Sequence, residues 1–451
     1  MANGGKLPIT MKRRRSVIQR AVIFIEKLSV ALLMFANFVT GSAAEAKTVQ
    51  TCRLDGMSTE QAMEASAEAA RSADRNNRYG NVLALSGLLA GCDGRTSTAI
   101  AMQRNALWQW RAEFGYYAEA NQDMRSHTKG SAVIGSTSFG DVRLEPAIPL
   151  IVTEARKTRL VMVDEGHNVP LHRTLTIELL RTLRREGYNY FAAEMLSAPV
   201  HLGADGYPDR QSGVYAQEPL AADMIRTAID LGYKLVAYEA DFDPSAGRNW
   251  RDQGQAEKLA AVLKHDPKAK ILVHTGPGHL DEDEGHNWMG AIVQRLSGVN
   301  PLTIDQTMVR ERRETADENP SYAGFAAKMP NKGPAIPVMK DGTFWHPSNP
   351  SWTVDMIVVY PRTTFHDGRP IWMLRNGSRR FMTMPREPCG SKSECVVSVW
   401  RSTDTTGSVP IDQVEVLEGR HPALALPRGV FRAESRALDW KPLKNFPIVV
   451  N

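Results

Sequence analysis

The tripeptide Glu165-Gly166-His167 sets a carboxylate and an imidazole two positions apart, directly after the apolar run "LVMVD". In an extended exit from a strand, residues two apart point the same way, so both side chains can face one site. Farther along, Glu194 closes "NYFAAE", Glu239 closes "LVAYE" with Asp241 two places on, and His274 and His279 flank the turn "TGPG". Arg251 stands shortly after the third of these runs. Such a set can do two kinds of chemistry. Neutral His167 can take a proton from water while Glu165 or Glu194 fixes its tautomer, with Arg251 and His279 steadying a developing oxyanion. Alternatively His167, Glu194, Glu239 and His279 can bind a divalent metal such as Zn or Mn in a mixed N/O site with an open position for water.

Either chemistry needs these residues brought together, and the pattern of the chain supplies the means. From about residue 150, the apolar runs "TRLVMVD", "YFAAEM", "KLVAYEA", "AKILVHT" and "NPLTID" alternate with amphipathic segments such as "LHRTLTIELLRTLRREG" and "QGQAEKLAAVLKHD". Apolar β runs alternating with amphipathic helices predict βαβ units with right-handed crossovers and a largely parallel sheet. Gly187 and Gly232 stand where two of these helices should end. In open α/β sheets ligands bind outside the carboxyl ends of the strands. Four consecutive strands place a carboxylate or imidazole at that end: Asp164, Glu165 and His167; Glu194; Glu239 and Asp241; His274 and His279. Glu194, at the end of an apolar strand, needs a cation or hydrogen-bond donor nearby to be buried as a carboxylate. Gly276 and Gly278 let backbone approach a ligand closely. His274, inside its strand, reads equally well as a satisfied core histidine. Asp281 to Glu284 read as a solvated acidic loop that His286 follows.

The flanks differ in character. Residues 1–46 combine the basic "MKRRRSVIQR", the apolar "LSVALLMFANFV" and the small residues of "SAAEA", the signature of a secretory signal cut after Ala46. Met11 is an alternative start, and an uncleaved N-terminal anchor the competing reading. This segment carries seven Lys/Arg and two Glu, the whole formal excess of +5, and leaves 48 basic and 48 acidic residues behind. The basic balance therefore implies no nucleic-acid partner. Cys52, Cys92, Cys389 and Cys395 suit an oxidising compartment, with Cys52–Cys92 and Cys389–Cys395 the preferred pairs of three possible pairings. A rival reading takes "LLAGC" as a lipoprotein box with Cys92 as the lipidated N-terminus. Residues 47–149 read as a helical region, 150–315 as the α/β catalytic-type domain, 316–350 as a Pro/Gly-rich linker, and 351–451 as a small all-β domain with an Asn-Gly hairpin at Asn376 and Gly377. No G-x-S-x-G elbow, P-loop, H-E-x-x-H or G-x-G-x-x-G after a strand occurs, which removes support for serine-hydrolase, nucleotide and nicotinamide readings.

Glu165-x-His167 after a first strand, Glu194 ending a second, Arg251 before a helix and "TGPGHL" after a later strand resemble the superfamily of erythromycin esterase-like, ChaN-like haem-binding and TraB/Tiki proteins, over roughly residues 150 to 310. In erythromycin esterase-like members the matching histidine, here His167, is the general base that activates water. The resemblance implies that Glu165, Glu194, Arg251 and His279 complete the site. Tiki-like members use a related GxGH motif and glutamates in a divalent-metal-dependent protease, and ChaN-like members are exported and bind haem or iron. Asp164 stands where these families usually have glycine. The expectation is an exported, periplasmic or secreted, hydrolase-like protein acting on an ester or amide in a small molecule or peptide. The alternative is a haem- or iron-binding envelope protein without turnover.

Overall fold

The computed structural model describes residues 51–72, 78–93, 95, 97–121, 142–241, 249–329, 333–348, 350–405 and 407–451. The expected signal segment 1–46 and the Gly/Ser stretch 126–141 lie outside the described residues. The chain divides into two compact units, residues 1–107 and 108–451. Helices α1 (Thr59–Ser72), α2 (Arg78–Leu89), α3 (Thr98–Glu113) and the short α4 (Tyr117–Ala120) follow one another, as the Ala-rich spacing predicts. In the first unit a disulfide ties Cys52 to Cys92. That bond engages the Cys92 sulfur in the chain that begins upstream of Cys52. Cys389 and Cys395 form the second disulfide, so both preferred pairings hold, and the described residues contain no free cysteine. Two such bonds mark an oxidising, extracytoplasmic environment. Among the described residues no helix is long and apolar enough to cross a membrane.

The second unit is built on a six-stranded parallel sheet. After β1 (Val142–Pro146) and α5 (Ala147–Ala155) come β2 (Leu160–Asp164), α6 (Leu171–Arg185), β3 (Tyr190–Ala193), α7 (Pro219–Asp230) and β4 (Lys234–Val236). Then follow α8 (Trp250–His265), β5 (Ile271–Thr275), α9 (Met289–Ser297) and β6 (Leu302–Asp305). All five residues of β2 and of β5 are buried, the mark of strands covered on both faces. Gly187 and Gly232 adopt left-handed φ angles of 86° and 72° after α6 and α7, where a side chain would strain the turn. Glu218 caps α7 by accepting the Ala221 N–H at 2.8 Å, with Pro219 just inside the helix.

The stretch expected as a linker instead holds α10 (Pro320–Lys328) and β7 (Ala335–Met339), and β7 pairs antiparallel with β1. The next strand, β8 (Met356–Ile357), joins the parallel sheet beside β6 rather than the β-rich tail. Strand order is therefore β4-β3-β5-β2-β6-β8. Beyond it lie the ladder of β9 (Phe365–His366) with β10 (Arg369–Pro370), then β11 (Arg380–Met382) and β12 (Cys395–Arg401). The tail closes with β13 (Asp412–Val416), β14 (Leu424–Leu426), β15 (Gly429–Arg436) and β16 (Pro442–Val450). These form a four-stranded antiparallel sheet, β13-β12-β15-β16, and a β11-β14 ladder around a core of Val397, Val399, Val414, Leu424, Leu426 and Phe431. The expected Asn-Gly hairpin is absent. Asn376 and Gly377 do take positive φ, at 52° and 88°, but they end a 3₁₀ turn over Ile371–Gly377, and β11 finds its partner in β14.

The topology fixes where a ligand can bind. The chain moves outward from β2 to β3 to β4, then returns to lay β5 between β3 and β2. With right-handed crossovers, the helices that follow β2 and β3 lie on one face and those leading into and out of β5 lie on the other. Packing agrees, since α6 rests on α7 and α8 on α9. In open α/β sheets a crevice opens where neighbouring strands send their connections to opposite faces, which here points to the carboxyl end of β5, flanked by β2 and β3. The pleat sorts the side chains: Leu160, Met162, Ile271 and Val273 join Leu259, Leu263, Ile292 and Val293 in the core under α8 and α9.

Candidate active site

Glu165, the first residue beyond β2, donates its N–H to the Thr275 carbonyl at 2.8 Å, so the backbone extends past the strand and delivers the side chain to the crevice. The carboxylate is fully buried and meets three side chains through four contacts. Arg173, in the first turn of α6, donates Nε to Oε2 at 2.7 Å and Nη2 to Oε1 at 2.9 Å. His167 Nδ1 stands 3.0 Å from Oε1, and His274 Nε2 lies 3.0 Å from Oε2. Burial alone would raise this carboxyl; Arg173, His274 and the His167 hydrogen bond outweigh it and hold Glu165 well below the usual range. Glu165 is thus an acceptor only, so Nδ1 of His167 donates to it, and in the neutral ring the free lone pair is on Nε2.

Arg173 is itself enclosed. Its Nη1 bonds Glu218 at 2.7 Å and its Nη2 also bonds the His167 carbonyl at 2.8 Å, so one guanidinium fixes both the carboxylate and the backbone of the histidine that the carboxylate orients. This is the bidentate geometry for which Arg differs from Lys.

Glu194 follows β3 and is buried. Its Oε1 accepts from Arg251 Nη2, and its Oε2 accepts from the Gly276 N–H and from Thr275 Oγ1 at 3.3 Å. Burial would raise it, but Arg251, His279 and His167 hold it well below the usual carboxylate range. A Cβ added to Gly276 would lie 2.9 Å from His167 Nε2 and 3.0 Å from Glu194 Oε2. Glycine there keeps open the space between the base and the second carboxylate.

Arg251, in the first turn of α8, is a hub. Nε and Nη2 grip Glu239 at 2.9 and 2.6 Å, Nη2 also reaches Glu194, and Nη1 stands 3.2 Å from His279 Nε2. His279, after β5, sets its Nδ1 2.7 Å from Asp252 Oδ1, making a second carboxylate–imidazole pair beside the first. All three guanidinium nitrogens hold other side chains, so Arg251 positions Glu194, Glu239 and His279.

The structure thus gathers Glu165, His167, Glu194, Arg251, Glu239 and His279 at one end of the sheet. The expected Zn or Mn ligand set of His167, Glu194, Glu239 and His279 does not assemble. Arg251 occupies the ground between three of the four, and among the described residues no three His, Cys, Asp or Glu side chains are grouped to hold a metal ion. Other candidates point elsewhere. Asp164 faces the opposite side of its strand, where its carboxyl meets Asp305, Gln306 and Thr307; burial and Asp305 push it well above the ordinary range. Asp241 is almost fully exposed, and the Asp281 carboxylate ties down its own loop through Asp283, Thr353 and His286. His274 is fully buried, with Nδ1 3.0 Å from Thr176 Oγ1, and backs Glu165 from behind.

Arg173, Glu218, Tyr215 and Asp252 escaped the sequence reading. Arg173 and Asp252 carry no signal of their own, since charged residues in a helix's first turn read as ordinary surface. Glu218 has one in retrospect: an acidic N-cap before proline.

No family model and no curated protein matches this chain. Among solved structures, the type III effector HopBA1 is similar at 11% identity, covering 50% of this chain and 99% of that one with a TM-score of 0.30.

Proposed function

We propose that this chain is an exported hydrolase-like protein in which His167 activates water for attack on an ester or amide of a small molecule or peptide. One observation carries the reading: the His167 ring is tethered at Nδ1 to a carboxylate that Arg173 locks on both oxygens, with Nε2 turned toward the space that Gly276 keeps open. In that arrangement Nε2 takes a proton from water as the oxygen attacks the carbonyl carbon, and Glu165 stabilises the imidazolium. The imidazolium returns the proton to the leaving group when the tetrahedral intermediate collapses. Glu194, held ionised by Arg251, adds a second negative charge facing the imidazolium. The order of Glu165, His167, Glu194, Arg251 and His279 along the chain supports a place near the erythromycin esterase-like proteins it resembles. The two disulfides support export, and the basic-then-apolar residues 1–46 supply the means.

The test is turnover of a panel of activated esters and peptides by the mature chain and by His167→Ala, with melting curves and a visible spectrum taken on both. Turnover lost in a variant that melts like wild type supports the reading. A haem band in wild type that His167→Ala abolishes, with no turnover in either, replaces it with a capture protein.

A further inference from the structure

Each guanidinium nitrogen of Arg251 already holds a neighbouring side chain, and the hydrolytic reading has room for a further donor to the negative charge that builds on the carbonyl oxygen. We infer that Tyr215 is that donor, its phenolic O–H reserved for the reacting oxygen of the substrate.

Three observations meet at this side chain. Its hydroxyl is buried and finds no hydrogen-bond partner among the described residues, in a side chain only 5% exposed. An unpaired buried hydroxyl is costly, and native structures keep few of them without a reason. Its ring lies against His167, with centroids 4.5 Å apart, and the Arg173 guanidinium sits 5.6 Å from the ring centre on the way to Glu165. The same two residues that build the base therefore place the phenol. Its backbone is also fixed, since the Tyr215 carbonyl accepts the N–H of Glu218 at 3.2 Å, and Glu218 is both the cap of α7 and the second partner of Arg173.

The chemistry suits a donor rather than a base. Burial, then Glu194 and Glu165, push the phenol well above its ordinary range, so it keeps its proton. Both site carboxylates act on the phenol, and its ring lies against that of His167. No carboxylate takes its proton, and a carbonyl oxygen turning into an oxyanion would. The bond strengthens as water adds to the carbonyl and relaxes when the leaving group departs, so Tyr215 neither gains nor loses a proton over the cycle.

The proposal rests on the hydrolytic role of His167, and the experiment separates the two. Wild type, Tyr215→Phe and His167→Ala are compared as full-length chains on p-nitrophenyl acetate and butyrate, with melting curves. Tyr215→Phe is expected to lower kcat by roughly 10²–10³-fold, the loss seen on removing one oxyanion donor. KM should stay within about twofold, and the melting temperature at or above wild type, because the lost hydroxyl had no structural partner. A wild-type kcat in Tyr215→Phe beside a dead His167→Ala overturns the assignment and leaves the base intact. A lowered melting temperature overturns it too, since that marks a structural hydroxyl. Equal, background rates in wild type and His167→Ala overturn the hydrolytic reading and this assignment with it.

Discussion

The guanidinium of Arg173 closes on both oxygens of Glu165, at 2.7 and 2.9 Å, and neither side chain is exposed to solvent. Removing one partner of such a pair leaves an uncompensated buried charge, which costs about 3–5 kcal/mol. Arg173→Met should therefore lower the urea midpoint sharply, and Glu165→Gln added to it should recover part of the loss. Arg173→Lys keeps the charge but not the fork. It should fold while losing turnover, because the His167 ring is no longer held in one orientation. Purely additive effects in the double variant would remove the clamp from the account.

Gly276 offers a cleaner probe of the space between the two halves of the site. Its φ is not left-handed, so alanine suits the backbone, but the new Cβ would stand 2.9 Å from His167 Nε2. Gly276→Ala should keep a melting temperature close to wild type and lose at least about tenfold in kcat, since small displacements of reacting groups are expensive. Retained turnover would place the reaction elsewhere on the sheet.

The response to pH has two opposite parts. Glu165 and Glu194 titrate below their unfolded value of about 4.3, so what they contribute is present above that value and is lost as pH falls through their depressed folded values. Glu282 runs the other way. Burial, then Asp355 and Asp281, push it up to about 7 against the lowering effect of the Thr303 hydroxyl. It binds its proton more tightly folded than unfolded, so its contribution declines as pH rises from about 4.3 through 7. Glu282→Gln should accordingly gain in melting temperature over wild type as pH is raised from 5 to 8, with little difference at 5. A difference that stays flat across that window would contradict the buried environment assigned to Glu282. The residue sits in the loop that carries His279, through its N–H to the Thr353 carbonyl, so turnover should be followed over the same range.

What the sequence made legible was the frame. Short apolar runs alternating with amphipathic helices named five of the six strands of the parallel sheet, and the rule that ligands bind at carboxyl ends pointed to Glu165, His167, Glu194 and His279, with Arg251 just after the third strand. The sixth strand, Met356–Ile357, is not legible as part of this sheet, because a two-residue strand carries no period and its parallel partner, β6, lies some fifty positions away. Asp164 shows the limit of counting strand ends. Adjacent to Glu165, it must face the other side of the pleat, where it meets Asp305 instead of the crevice. The metal site failed for a different reason. Spacing shows which ligating side chains reach one end of a sheet, but not that a guanidinium from α8 arrives among them first. Asn376 and Gly377 had the right local chemistry for a turn, and only tertiary pairing of β11 with β14 decided that no hairpin forms there.

The most direct measurement is kcat/KM of wild type and His167→Ala on whichever ester the panel finds, with and without added imidazole. The account predicts a loss of roughly 10²–10⁴-fold, the contribution of a positioned general base, with part of the rate restored by imidazole entering the vacated space. Wild-type turnover in His167→Ala would contradict it, whatever the rest of the site does.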